Sequence, residues 1–228
     1  MTAIDGPSAD PKLHLFPFEL ALFALIFWAD GAGFIPLSKT PFLFLVAWAS
    51  LRLRGAGWRS AGLKTDGRGL VLIGMGVAAG AAFWAFEFYV ENPILYRLTG
   101  RYPDLHAFDD LVGNVRLLAI LLALNLVLAA FGEEFVWRGY ALPRVAEILG
   151  GSRFAWVAAL LAVNAAFGLA HLYQGESGIA QATVQGILLG LLYLVTGRNL
   201  LAPIAAHFTA NSCDFVAIYL GLYPGMPF

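Results

Sequence analysis

The sequence predicts an all-α membrane protein, a polytopic transmembrane helical bundle of about seven spans. Of its 228 residues, 60% are hydrophobic and 13% are charged, and the mean hydropathy is +0.74. Soluble domains have about 45–50% apolar and about 25% charged residues, and a small domain cannot bury this excess of apolar side chains. A single cysteine excludes a disulfide scaffold. The net charge of −1, with no basic face, argues against nucleic-acid binding.

Seven apolar runs account for the predicted spans. A spanning helix needs roughly 20 mostly apolar residues. The runs cover residues 15–29, 34–51, 70–90, 117–131 with extensions on either side, 154–172, 179–195 and 200–222. The first two are separated by residues 30–33, and Lys39 lies inside the second. Because the runs are continuous, they do not have the alternating pattern of β-barrel strands.

Basic residues predict the orientation in the membrane. The connection after the second run is the most basic of the chain and is therefore expected in the cytoplasm. It contains Arg52, Arg54, Arg59, Lys64 and Arg68. Arg138, Arg144 and Arg153 are assigned to a later cytoplasmic loop, and the connection 173–178 contains neither Lys nor Arg. The amino terminus is thus expected inside and the carboxy terminus outside, in an integral protein of a bacterial cytoplasmic membrane.

The first polar cluster follows the fourth run and contains Glu133, Glu134 and Arg138. On a helix, Glu134 and Arg138 are four residues apart and share a face, in the order that favours an ion pair. Glu133 is rotated by about 100° from Glu134, so one carboxylate can pair with the arginine while the other faces a cavity. The alternative is a helix end among lipid headgroups, where such charges are ordinary.

The second cluster contains Asn164, Phe167 and His171, which share one face of the fifth run. A single histidine at a span end can also be a simple interfacial hydrogen-bonding residue. The third cluster is a polar stripe of His207, Asn211 and Asp214 on an otherwise apolar helix. Its alternative is a structural hydrogen-bond network between helices.

These residue types support hydrolysis by activated water in a polar active-site cavity inside the bilayer. A glutamate in a partly dry cavity can act as a general base, and a neutral histidine can share the proton. A second histidine and an asparagine amide can donate hydrogen bonds to an oxyanion. Covalent catalysis is the weaker hypothesis, since no serine or cysteine has a comparable setting. Zinc-bound water is the main alternative, although the H-E-x-x-H spacing is absent.

The three motifs, E-E-x-x-x-R at 133–138, F-x-x-x-H at 167–171 and H-x-x-x-N at 207–211, resemble the CPBP family of intramembrane proteases. This family includes the type II CAAX prenyl endopeptidases. The resemblance covers residues 115 to 215. It implies a division into a polar N-terminal segment (1–14), N-terminal transmembrane helices (15–114) and a CPBP-like catalytic core (115–228).

The resemblance also implies roles for the motif residues. Glu133 would activate water with help from His171, and His207 and Asn211 would form the oxyanion hole. Glu134 and Arg138 would orient and support them. No cofactor is expected from the resemblance, and a divalent metal such as zinc stays the alternative. The expected partners are the lipid bilayer and a membrane-anchored protein or peptide substrate.

The sequence leaves the relative membrane depth of the predicted site residues open. Depth counting places Glu133 and His207 near the cytoplasmic face and His171 near the outer end of its helix, yet cooperating residues must lie close together. Either the Glu133 helix continues towards Leu149, or the fifth helix begins after Phe154.

Two non-proteolytic functions also remain as alternatives. One is a CPBP-like immunity or scaffold protein. The other is a proton-coupled transporter, which is less favoured because the sequence has no internal repeat.

Overall fold

The computed structural model describes residues 15–64 and 67–225, so the predicted segment 1–14 lies outside the described residues. The protein is all-helical, with 78% helix and no strand among the residues described. Counting continuous runs, its helices are α1 (Phe16–Gly31), α2 (Thr40–Leu53), α3 (Gly69–Thr99), α4 (Val115–Ile148), α5 (Arg153–Leu169), α6 (Leu172–Val195) and α7 (Leu201–Tyr219). A 3-10 turn, His106–Leu111, lies between α3 and α4.

Three of these helices, α3, α4 and α6, are long and apolar enough to cross a membrane. Helices α2 and α5 are apolar but shorter than 18 residues. The prediction of an all-α protein with membrane-spanning helices is therefore confirmed, while the count of seven spans stays a prediction. A break between the first two runs is present, but it covers residues 32–39 and not 30–33, because α1 ends at Gly31 and α2 begins at Thr40. Lys39, predicted inside the second run, therefore precedes α2.

Helix α4 corrects the predicted loop around Arg138 and Arg144. It runs for 34 residues without interruption, and both arginines lie inside it with 1% and 7% of their surface exposed. The error arises because charged residues end an apolar run in the sequence, whereas here they are buried and paired. Two stretches of α4, Asn125–Glu133 and Phe135–Ala141, widen into π-helix, a rare form that is frequently found at functional sites.

Close packing of α3 against α7 depends on two glycines. A Cβ added at Gly76 would lie 2.3 Å from the carbonyl oxygen of Ala202, and one at Gly80 would lie 2.3 Å from that of Ala206. Small residues allow helix backbones to approach in this way. The contact fixes the segment of α7 that carries His207, which follows Ala206 in the chain.

A buried polar network attaches α1 and α2 to α4. Glu19 of α1 accepts hydrogen bonds from Ser50 Oγ at 2.7 Å and from Tyr140 Oη at 2.6 Å, and also from the Arg54 guanidinium. Glu19, Ser50 and Tyr140 are all buried. Paired in this way, the buried Glu19 carboxylate holds three helices together.

Candidate active site

The predicted site residues meet at one cavity. A cavity of about 230 Å³ is lined by Glu133 of α4, His171 between α5 and α6, and His207 and Asn211 of α7. Asp214, the third member of the predicted polar stripe on α7, lines it as well. The cavity therefore collects polar side chains that lie far apart in the sequence.

Glu133 lies near the middle of α4 and not at a helix end. Of the two explanations for the apparent depth conflict, the first is correct, because α4 continues to Ile148 and α5 already begins at Arg153. Thr40 Oγ1 lies 3.5 Å from Glu133 Oε1 and donates to it. Glu133 and His171 also line a second cavity of about 870 Å³, so they form part of the wall shared by both cavities.

The hydrogen bond of His171 fixes which ring nitrogen carries the proton. Its Nδ1 lies 2.9 Å from the carbonyl oxygen of Phe167. A carbonyl only accepts, so Nδ1 is protonated, and in the neutral ring Nε2 keeps its lone pair. The Phe167 and His171 rings meet edge to face at 4.8 Å, as their predicted common face requires. His171 thus has an acceptor nitrogen for the chemistry of the cavity.

Glu134 is fully buried behind the cavity. Its Oε1 accepts hydrogen bonds from Arg138 Nη1 at 2.8 Å and from His207 Nδ1 at 2.8 Å. The predicted Glu134–Arg138 pair is confirmed, whereas the bond to His207 on a different helix was not predicted. Since Nδ1 donates to Glu134, the Nε2 atom of His207 accepts in the neutral ring and can donate only when the ring is an imidazolium.

Arg138 connects three helices. Its Nη2 donates to Asn164 Oδ1 of α5 at 3.0 Å and to the carbonyl oxygen of Gly186 of α6 at 2.8 Å. The guanidinium also lies 4.7 Å from the centre of the Phe167 ring, within the range of a cation–π contact. The planar donor fork of arginine suits several acceptors at once, so Arg138 holds Glu134 and its neighbours in place.

A second polar network, centred on Glu87, lines the same cavity and was not among the predicted site residues. Glu87 is buried inside α3. It accepts hydrogen bonds from Gln181 at 3.1 Å, from Gln185 at 2.8 Å and from Tyr223 at 3.1 Å. The available signal was the four-residue spacing of the two glutamines, which places both on one face of α6.

A metal centre has no evident ligand set in the described part of the chain. Among residues 15–64 and 67–225, no group of three or more His, Cys, Asp or Glu side chains is arranged to hold a metal ion. Catalytic zinc uses three protein ligands of these types. Zinc-bound water therefore has no such triad there, and the expectation that no cofactor is needed stays a prediction.

Comparison with known proteins identifies one family. Residues 115–213 match the family described as Type II CAAX prenyl endopeptidase Rce1-like. No curated protein and no solved structure matches the chain. The matched segment contains all three motifs, and the family implies a protease that acts at a membrane. Over residues 115–213 the chain is thus similar to the Rce1-like type II CAAX prenyl endopeptidases, which confirms the resemblance predicted from its motifs.

Proposed function

We propose that this protein is a glutamate-dependent intramembrane endopeptidase that hydrolyses a peptide bond of a membrane-associated protein or peptide. The observation that carries the proposal is the convergence of Glu133, His171, His207 and Asn211 on one cavity. A general base, a second proton acceptor and two potential oxyanion donors are the groups that water attack on an amide requires.

Water is the nucleophile in this mechanism. Glu133 takes a proton from the water while Nε2 of His171 accepts a hydrogen bond that holds the same water in place. The water oxygen bonds to the carbonyl carbon of the substrate and gives a tetrahedral oxyanion. When the C–N bond breaks, the proton held by Glu133 passes to the leaving amine, which restores the carboxylate.

The oxyanion is stabilised from α7. The amide N–H of Asn211 donates one hydrogen bond, and Nε2 of the His207 imidazolium donates the other. Glu134 orients the His207 ring through its bond to Nδ1, and Arg138 keeps Glu134 in position. In a cavity from which water is largely excluded, such donors stabilise developing charge more strongly than in bulk water.

The membrane arrangement is part of the same proposal. The seven helices span the bilayer, the cavity lies inside it, and the protein belongs to a bacterial inner membrane with its amino terminus in the cytoplasm. The apolar character of α3, α4 and α6 supports this arrangement. So does the central position of Glu133 in α4, which extends for at least 15 residues on either side of it.

Replacing His171 tests the proposal against a matched control. His171→Ala is expected to abolish cleavage of a prenylated CAAX reporter peptide while thermal unfolding stays near that of the unsubstituted protein. His106→Ala is the control, because its side chain is 68% exposed and pairs with Asp109 on the 3-10 turn. Cleavage by His171→Ala at the rate of His106→Ala would overturn the assignment.

A further inference from the structure

Lys39 is a cation beside the proposed site that the proposed chemistry does not use. It precedes α2, and its side chain, 16% exposed, lines the 870 Å³ cavity together with Glu133 and His171. Within the described ranges, no other lysine or arginine lines either this cavity or the 230 Å³ cavity. A buried or half-buried lysine in an apolar segment is costly unless it has a partner.

The surroundings of Lys39 leave capacity for a second anion. Its Nζ donates to Asp30 Oδ2 at 2.9 Å, and it lies 5.8 Å from the centre of the Phe27 ring and 5.7 Å from that of Tyr173. An ammonium has three N–H donors, and the Asp30 carboxylate engages one of them. The aromatic rings hold the ammonium over the cavity by cation–π attraction.

Lys39 is within a short peptide's length of the proposed catalytic groups. Its chain neighbour Thr40 contacts Glu133. The Tyr173 ring, 5.7 Å from Nζ, lies 5.9 Å from the His171 ring. The ammonium is therefore no more than about 12 Å from that imidazole, a span that three or four residues of extended chain cover at about 3.3–3.6 Å per residue.

We propose that Lys39 binds the free C-terminal carboxylate of the substrate and so sets the distance between that carboxylate and the scissile bond. The proposal rests on the proposed endopeptidase function and adds a specificity-determining residue outside the matched segment. Besides His171 and His207, which the proposed mechanism already uses, the two cavities present four carboxylates, namely Asp30, Glu133, Glu87 and Asp214. An anionic chain end would be repelled by these groups, so Lys39 is the position at which it is attracted.

A binding measurement with two forms of one peptide tests this proposal. The probe is a prenylated fluorescent peptide that ends in a CAAX tetrapeptide, made as the free acid and as the C-terminal amide. The full chain carries Glu133→Gln, so that turnover does not interfere, and affinity is measured by fluorescence anisotropy in detergent. We expect the acid to bind about tenfold more tightly than the amide, as for loss of a charge-assisted hydrogen bond.

Substitutions at the ion pair separate recognition from a purely structural clamp. Lys39→Met should bind acid and amide equally, and Lys39→Arg should keep most of the preference. Asp30→Asn breaks the same ion pair but leaves the cation, so it should keep the preference for the acid. If Lys39 only joins α1 to α2, Asp30→Asn and Lys39→Met will behave alike.

The proposal is overturned if the protein binds both peptides equally, if it binds neither, or if Lys39→Met retains the preference. Failure of the proposed function gives a different result. In that case the acid preference depends on Lys39, yet the protein without the Glu133→Gln substitution cleaves neither peptide. If Lys39→Met does not fold, the proposal is tested by two other measurements. These are the affinities of the parent protein for the acid and the amide, and the same comparison in Lys39→Arg.

Discussion

Replacing Gly80 by alanine tests whether the α3–α7 contact positions His207, the histidine of α7 in the proposed site. The added Cβ would lie 2.3 Å from the carbonyl oxygen of Ala206 and 2.8 Å from its Cα, whereas ordinary contacts begin at 3.4 Å. Neither neighbour is the end of a flexible side chain, so the two helices must separate by about 1 Å. His207 is the next residue on α7 and would move with that backbone.

The size of the effect follows from this displacement. His207 Nδ1 now lies 2.8 Å from Glu134 Oε1, and a lengthening of about 1 Å would carry the pair beyond hydrogen-bond range. A misplacement of that size costs on the order of 100-fold in rate. Overpacking should also lower the free energy of unfolding by about 1–3 kcal/mol, offset by about 0.5–1 kcal/mol because alanine favours the helix more than glycine.

The assay measures cleavage of the prenylated CAAX reporter peptide together with thermal unfolding in the same detergent. Gly74→Ala is the matched control, because it lies on the same helix and its added Cβ would meet nothing within 4 Å. It should cleave normally and unfold at the same or a slightly higher temperature. If Gly80→Ala cleaves within twofold of Gly74→Ala, the reasoning that α3 positions His207 is refuted.

Three further outcomes are expected. Arg138→Lys keeps the charge but loses the planar fork, so it should lower the free energy of unfolding by about 1.5–3 kcal/mol and reduce cleavage; unchanged unfolding would contradict this. Tyr140→Phe removes the 2.6 Å bond to Glu19 and should destabilise by a similar amount with cleavage kept within a few-fold, since Tyr140 does not line the 230 Å³ cavity. Treatment with a metal chelator should leave cleavage unchanged, and a loss that zinc restores would favour metal-bound water.

Much of the helical fold can be predicted from hydropathy, because a continuous apolar run has few alternatives to a membrane helix. The break after Gly31 and the starts of α5 and α7 follow from local sequence. The continuation of α4 through Glu133 and Arg138 does not. A hydropathy scale does not distinguish a buried, paired charge from an exposed one. The partners of Glu134 and Arg138 on α5, α6 and α7 also lie far away in the sequence.

The candidate site could likewise be predicted within single helices but not between them. Helical spacing alone predicts the Glu134–Arg138 pair and the common face of Phe167 and His171. Contacts between helices need the three-dimensional packing, so the bond from His207 to Glu134 and the approach of Lys39 to the cavity were not predicted. The periodicity of a helix shows which of its residues share a face. It does not show which face of another helix packs against them.

The central claim is that the Glu133 carboxylate activates the water, and the most direct test is the cleavage rate of Glu133→Gln. Glutamine keeps the size and hydrogen bonding of the side chain but removes the base. Glu147→Gln is the control, since this residue lies on the same helix and is 54% exposed. We predict that Glu133→Gln folds, binds the reporter peptide and gives no product, while Glu147→Gln cleaves normally. Product from Glu133→Gln at the control rate would contradict the mechanism and show that another group activates the water.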